Sequence, residues 1–185
     1  MTRNAANRAV FLDRDGTLTA DGTSYIWKIE NLVLIPSAAD ALKRLQDAGY
    51  KLFVITNQSG VGRGYFTREA VESIHAYLDS HFGSAGVHFD AYFVCPHQPE
   101  DNCDCRKPKP KFLLEAARTH GLDLSRCFMI GDRPTDIQTG INAGTKTILV
   151  LTGAGRDSLA KHEVNPDFTA EDIGEAATWI LKHNL

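Results

Sequence analysis

The chain has 185 residues, 43% hydrophobic and 23% charged, with a formal net charge of -3 and no sustained basic run. That composition suits one domain able to bury its own core. It argues against a nucleic-acid or anionic-membrane partner, whose surface demands clustered Lys and Arg.

In chain order, the first apolar run is Arg8 to Leu12, followed at once by two aspartates, Asp13 and Asp15. Ser37 is placed to cap a helix whose face carries Ala38, Ala41, Leu42 and Leu45 and which closes at Gly49. A second run, Lys51 to Thr56, leads into a helix after Thr67, with Val71, Ile74, Leu78 and Phe82 at helical spacing. The remaining runs are Ala91 to Cys95, Cys127 to Gly131 and Thr147 to Thr152, and further helices are predicted over Lys111 to His120, Thr135 to Ala143 and Asp172 to Leu181. The runs are near-continuous rather than alternating, which marks strands covered on both faces. The expected fold is therefore α/β: a Rossmann-like doubly wound parallel sheet flanked by helices, forming a single domain over residues 1–185. No apolar stretch approaches the ~20 residues of a membrane span, and the N-terminus lacks the apolar core of a signal peptide, so a cytoplasmic protein is expected.

In a sheet of this kind ligands bind beyond the carboxyl ends of the strands, and polar residues gather there. Asp13 and Asp15 follow the first run, Thr56 and Asn57 end the second, Cys95 and His97 the third, and Asp132 the fourth. Two like charges as close as Asp13 and Asp15 are unfavourable when buried unless a cation lies between them. Asp13 is placed to ligate Mg²⁺, to attack an electrophile, or both, and Asp15 to exchange a proton at the same centre. Gly16 allows a tight turn with amides free for an anion. Taken alone, this stretch would also fit a surface turn. Arg106 and Lys107 sit in a proline-stiffened loop, Lys109 and Lys111 are expected to be solvated, and Asp136 lies one helical turn beyond Asp132.

Cys95, His97, Cys103 and Cys105 place three thiols and one imidazole within eleven residues, a donor set suited to tetrahedral Zn²⁺ with no open position. The zinc is expected to be structural, fixing the loop 95–105 that delivers Arg106 and Lys107. Cys127 is expected in the core. His75, His81, His88, His120, His162 and His183 lack ligand-like company and are expected at the surface or an interface.

The sequence DxDGT at Asp13 to Thr17, the strand-terminal Thr56, Lys107, and GDxxxD at Gly131 to Asp136 together resemble the four motifs of the haloacid dehalogenase superfamily of phosphohydrolases. The resemblance implies that Asp13 is a nucleophile forming an aspartyl-phosphate and Asp15 the acid and base. It implies further that Mg²⁺ is held by Asp13, the Asp15 carbonyl and Asp132, that Thr56 and Lys107 neutralise the phosphoryl group, and that Asp136 plays a supporting part. The zinc loop joined to "CRKPKP", together with "TNQSGVGRG" and "LTGAGR", is similar to the D-glycero-D-manno-heptose 1,7-bisphosphate 7-phosphatases. The related histidinol-phosphate phosphatases share the zinc loop. Where the heptose enzymes carry Gly-Met after this loop, the chain has Lys111-Phe112.

By the same resemblance Asn57, Gln58, Ser59 and Arg106 bind a small phosphorylated sugar. The segment between Asp15 and Thr56 is too short for a cap domain, which leaves an open site rimmed by Asp21 to Tyr25 and Ser59 to Tyr65. A monomer is expected. The alternatives are a histidinol-phosphate phosphatase and a non-catalytic zinc-stabilised binding module, the latter disfavoured because Asp13, Asp15, Lys107 and Asp132 are all retained.

Overall fold

The computed structural model describes residues 7–20, 25–161 and 164–183. Among them, strands β1 (Ala9–Leu12), β2 (Lys51–Asn57), β3 (Ala91–Cys95), β4 (Phe128–Gly131), β5 (Lys146–Val150) and β6 (Phe168–Ala170) form one sheet. All pairings are parallel, in the order β3-β2-β1-β4-β5-β6. Seven α-helices accompany it among the described residues: α1 (Ala38–Asp47), α2 (Ser59–Gly62), α3 (Arg68–Ser84), α4 (Lys111–His120), α5 (Pro134–Ala143), α6 (Gly155–Ala160) and α7 (Ile173–Lys182).

Successive strand residues point to opposite faces, and both faces are covered. Val10, Leu12, Leu52, Val54, Ile130 and Ile148 pack with α1, α3 and α7. Ala9, Phe11, Phe53, Ile55 and Met129 pack with Leu113 and Ala116 of α4. Phe11 and Phe53 are register partners and stack at 5.4 Å, and full burial of each such side chain contributes about 1.5–3 kcal/mol. This two-sided burial is why the strand sequences run apolar without alternation.

The capping expectations divide. Thr67 accepts from Ala70 N as a cap should. Ser37 occupies the cap position of α1, but its hydroxyl donates to Asp172 Oδ2 at 2.8 Å instead and so ties α1 to the start of α7. Strand β6 and the short helices α2 and α6 are additions to the expected elements. Two histidines are not at the surface as expected: His75 is 7% exposed and stacks on Tyr92 at 4.3 Å, and the half-buried His120 meets the Phe53 ring at 4.9 Å. His162, and the rim residues 21–24, lie outside the described residues.

The order of strands reverses direction between β1 and β4. Chain leaving β1 turns toward β2 on one side, whereas chain leaving β4 turns toward β5 on the other, opening a crevice beyond their carboxyl ends.

Candidate active site

The carboxylates that follow β1 and β4 meet in this crevice. Asp13 continues the sheet, its N–H donating to Ile130 O at 2.9 Å, so its backbone is fixed by both strands. Oxygens of Asp13, Asp132 and Asp136 lie within 4.8 Å of one another, and all three residues are buried. Lys107 reaches them from the loop before α4. Its ammonium lies 2.7 Å from Asp13 Oδ1 and 2.6 Å from Asp136 Oδ1, and it donates to Ile55 O at 3.0 Å. Two of its protons are engaged in hydrogen bonds, to Asp13 and Ile55, while Asp136 is held by charge at close range.

Three buried carboxyl groups thus share one ammonium, so acids outnumber the base in this crevice. The titration behaviour reflects that imbalance. Burial and then Asp136 push the Asp13 carboxyl well above the usual range, Lys107 opposing them. Burial and Asp136 likewise raise Asp132 to about 6, with the Ala154 N–H opposing. For Lys107 burial would lower the value, but Asp13 and Asp136 outweigh it and the amine is held above its ordinary range. Asp132 Oδ2 accepts from Ala154 N at 2.8 Å, while Oδ1 is buried with no partner among the described residues. An orphaned carboxylate oxygen within a cluster of three acids is a fit for a divalent cation with oxygen ligands.

Asp132 is held by the backbone that surrounds it. A Cβ on Gly16, where φ is +88°, would come within 2.2 Å of Asp132 Oδ2, and one on Gly153, where φ is +54°, within 2.3 Å. Gly16 does not leave its amide for an anion, as the sequence suggested; that N–H donates to Thr19 O at 2.7 Å and closes the turn.

Asp15 is gripped by its neighbour. Arg14, 0% exposed, donates from Nε to Oδ1 at 3.0 Å and from Nη2 to Oδ2 at 2.8 Å. Gln58 Nε2 donates to Asp15 Oδ2 at 2.9 Å and to Thr56 Oγ1 at 2.8 Å. Arg14 was missed from sequence; the signal available was a cation between two acids in a run that is otherwise buried.

Among the residues expected on the substrate, Asn57 and Gln58 are turned into the protein. Asn57 Oδ1 accepts from Lys107 N at 3.2 Å and its amide donates to Lys107 O at 3.5 Å, which pins the lysine backbone to the end of β2. Ser59 Oγ pairs with the Tyr25 hydroxyl at 3.1 Å. Arg106 is half-buried and donates to His97 O at 3.1 Å. At the rim, Tyr25 is 40% and Tyr65 61% exposed, and Ser59–Gly62 form a helical turn instead of the expected loop.

The sulfur and nitrogen cluster also assembles. Cys95, His97, Cys103 and Cys105 offer donor atoms within 4.8 Å of one another. Cys105 Sγ lies 3.2 Å from Cys95 Sγ and 3.6 Å from Cys103 Sγ, Cys95 Sγ lies 3.6 Å from Cys103 Sγ, and His97 Nδ1 is 3.3 Å from Cys105 Sγ. No pair is a disulfide. Tetrahedral zinc with bonds of about 2.3 Å has sulfur–sulfur edges of about 3.8 Å, close to these spacings. Burial raises the Cys95 and Cys105 thiols, whereas Cys103 is lowered to about 7 because backbone N–H groups of Cys105 and Arg106 outweigh its desolvation. Crowded thiols of this kind are a fit for a soft cation. Lys109 and Lys111 are exposed, as expected, and also brace the loop, Lys109 through Cys103 O and Lys111 through Asp104 Oδ2 at 2.8 Å.

The chain is similar to several known proteins. A HAD-hydrolase-like family model matches residues 104–176. A D-glycero-beta-D-manno-heptose-1,7-bisphosphate 7-phosphatase of Helicobacter pylori strain J99 is 44% identical over 147 residues, covering 79% of this chain and 84% of that protein. A D-glycero-D-manno-heptose-1,7-bisphosphate 7-phosphatase of Thermosynechococcus vestitus is 42% identical, covering 95% and 96%. The crystal structure of D,D-heptose 1,7-bisphosphate phosphatase from B. bronchiseptica, complexed with magnesium and phosphate, superposes with a TM-score of 0.90 at 32% identity and covers 96% of this chain and 99% of that one.

Proposed function

This chain belongs to the D-glycero-D-manno-heptose-1,7-bisphosphate 7-phosphatase family of HAD-like hydrolases, and from that premise we propose that it removes the 7-phosphate of D-glycero-D-manno-heptose 1,7-bisphosphate. The observation that carries the proposal is the meeting of Asp13, Lys107, Asp132 and Asp136 at the carboxyl ends of β1 and β4.

In the proposed reaction an Asp13 carboxylate oxygen attacks phosphorus. The bond from phosphorus to the sugar oxygen breaks, and Asp15 gives that oxygen its proton. Water then attacks the aspartyl-phosphate, Asp15 takes back a proton, and inorganic phosphate leaves with Asp13 restored. Thr56 and the charge of Lys107 offset negative charge on the phosphoryl oxygens, and Arg106, on a loop held by the Cys and His cluster, faces the rest of the substrate. The Asp13 carboxylate, the Asp15 carbonyl and Asp132 would hold Mg²⁺, which would supply further positive charge for the phosphoryl group. Zn²⁺ on Cys95, His97, Cys103 and Cys105 has no chemical part; it stiffens the loop before Lys107. Residues 1–185 are proposed to act as one catalytic domain and, because its core is sufficient alone, as a monomer. The proposed location is the cytoplasm, and no helix among the described residues is long and apolar enough to cross a membrane.

The test is a set of initial rates with Mg²⁺ on both anomers of the heptose bisphosphate and on histidinol phosphate, with the position of the surviving phosphate read by phosphorus NMR. The proposal predicts preference for a heptose bisphosphate and retention of the 1-phosphate. Preference for histidinol phosphate, or loss of the 1-phosphate, contradicts it.

A further inference from the structure

Gln58 follows the last residue of β2 and is 1% exposed, so its side chain is closed to a substrate. Its amide nitrogen donates to Asp15 Oδ2 at 2.9 Å and to Thr56 Oγ1 at 2.8 Å. Both contacts are made by the amide nitrogen, so each of its two protons serves one partner.

A hydroxyl that accepts from Gln58 turns its own proton elsewhere. Thr56 Oγ1 has no other hydrogen-bond partner among the described residues, and Thr56 lies one residue before the end of β2, the strand beside β1, whose carboxyl end leads into Asp13. On the far side of Asp15, Arg14 grips both carboxylate oxygens and is itself anchored by Nη2 to Ile26 O at 3.0 Å. Thr19 Oγ1 adds a donor to Asp15 Oδ1 at 3.3 Å. The Asp15 side chain remains 23% exposed, so this clamp holds the carboxylate without closing it off.

We infer that Gln58, backed by Arg14, is a positioning residue for the phosphoryl transfer: one planar amide sets the carboxylate of Asp15 and aims the hydroxyl proton of Thr56 at the phosphoryl oxygens. The inference rests on the proposed roles of Asp15 and Thr56. It replaces the expectation that Gln58 contacts the sugar. It also links two functions that the sequence presents as separate, because a displaced amide misplaces the proton donor and the anion-neutralising hydroxyl together.

The test uses Gln58→Leu, which removes both donors, and Gln58→Glu, which keeps the shape and sets a like charge against Asp15. The Mg²⁺-loaded enzymes are assayed on aryl phosphates graded from p-nitrophenyl to phenyl phosphate, with inorganic phosphate as competitive inhibitor. Because kcat/KM reports steps up to departure of the leaving group, a misplaced proton donor harms phenyl phosphate more than p-nitrophenyl phosphate. Positioned acid–base groups contribute about 10²–10⁴-fold, so partial misplacement is expected to cost phenyl phosphate about 10–100-fold and p-nitrophenyl phosphate several-fold less. Inhibition by inorganic phosphate should weaken as Thr56 loses its aim, and Gln58→Glu should steepen the series more than Gln58→Leu. A uniform loss across the series, or no loss, overturns the inference, and thermal unfolding confirms which variants are folded. The aryl phosphates carry no sugar, so an enzyme inactive on heptose bisphosphate that still shows the steepened series contradicts the substrate proposal and leaves this inference standing.

Discussion

Asp132 shows how little room the site leaves around a single carboxylate. One oxygen is tied to the Ala154 N–H, and glycines 16 and 153 press against it from two loops. Gly153→Ala would drive a methyl group to 2.3 Å from Oδ2 at a positive φ, so the carboxylate must move. The expected outcome is Mg²⁺ binding weakened by about 10-fold or more in titration calorimetry, of the order seen when metal ligands are misoriented, with a folded circular dichroism spectrum. Unchanged Mg²⁺ affinity would count against Asp132 as a ligand. Residues such as Asp13, Thr56 and Asp132 were legible in the sequence because each follows an apolar run, and the end of a buried strand fixes where its side chain starts. The directions taken by Gln58 and Asn57 were not legible, since strand-end position does not decide whether an amide turns outward or toward Asp15 and Lys107.

At the scale of elements, α3 carries a titratable group that the reaction does not use. Burial, followed by the charge of Arg14, lowers His75 to about 3 from 6.5, so the folded protein keeps it neutral. Below pH 6.5 the unfolded chain takes up a proton that the folded chain refuses. Stability from this group is therefore complete above pH 6.5 and is lost on acidification toward about 3, at a slope of up to about 1.4 kcal/mol per pH unit. His75→Phe keeps a ring against Tyr92 and should flatten the fall of the urea midpoint between pH 6.5 and 4 relative to the unsubstituted protein. An identical slope would show that His75 protonates freely in the folded state.

The zinc loop gives a second element-scale prediction, because it joins β3 to the loop carrying Lys107. Removing zinc with a chelator should lower thermal stability and turnover together. A loss of about 3 kcal/mol corresponds to about 6–12 °C in Tm for a chain of this size. Verified zinc loss with an unaltered melting curve would argue against a structural metal. This loop was readable in advance because three cysteines and one histidine at short spacing allow few other meanings. The short helices α2 and α6 were not, because four residues (SGVG) and six (GRDSLA) are too few to display a periodic apolar face. Nor was β6, whose three residues are too few to form a recognisable run.

On the scale of the whole molecule, the strand order explains why residues separated by 94 positions, Asp13 and Lys107, form an ion pair at 2.7 Å. The alternation of strands and helices implied parallel pairing, and the polar strand ends implied one crevice. The arrangement β3-β2-β1-β4-β5-β6 places β1 beside β4 at its centre and so brings the motifs together. No sequence pattern specifies which of several parallel orders is adopted; long-range packing of the helices across both faces decides that.

The central claim is that Asp13 becomes covalently phosphorylated, and rapid acid quenching during turnover followed by peptide mass spectrometry tests it most directly. The account predicts that the peptide containing Asp13 gains one phosphoryl group, that borohydride reduces that residue to homoserine, and that Asp13→Asn abolishes both adduct and turnover while remaining folded. A phosphoryl adduct on another residue, or substantial turnover by the folded Asp13→Asn protein, would contradict it.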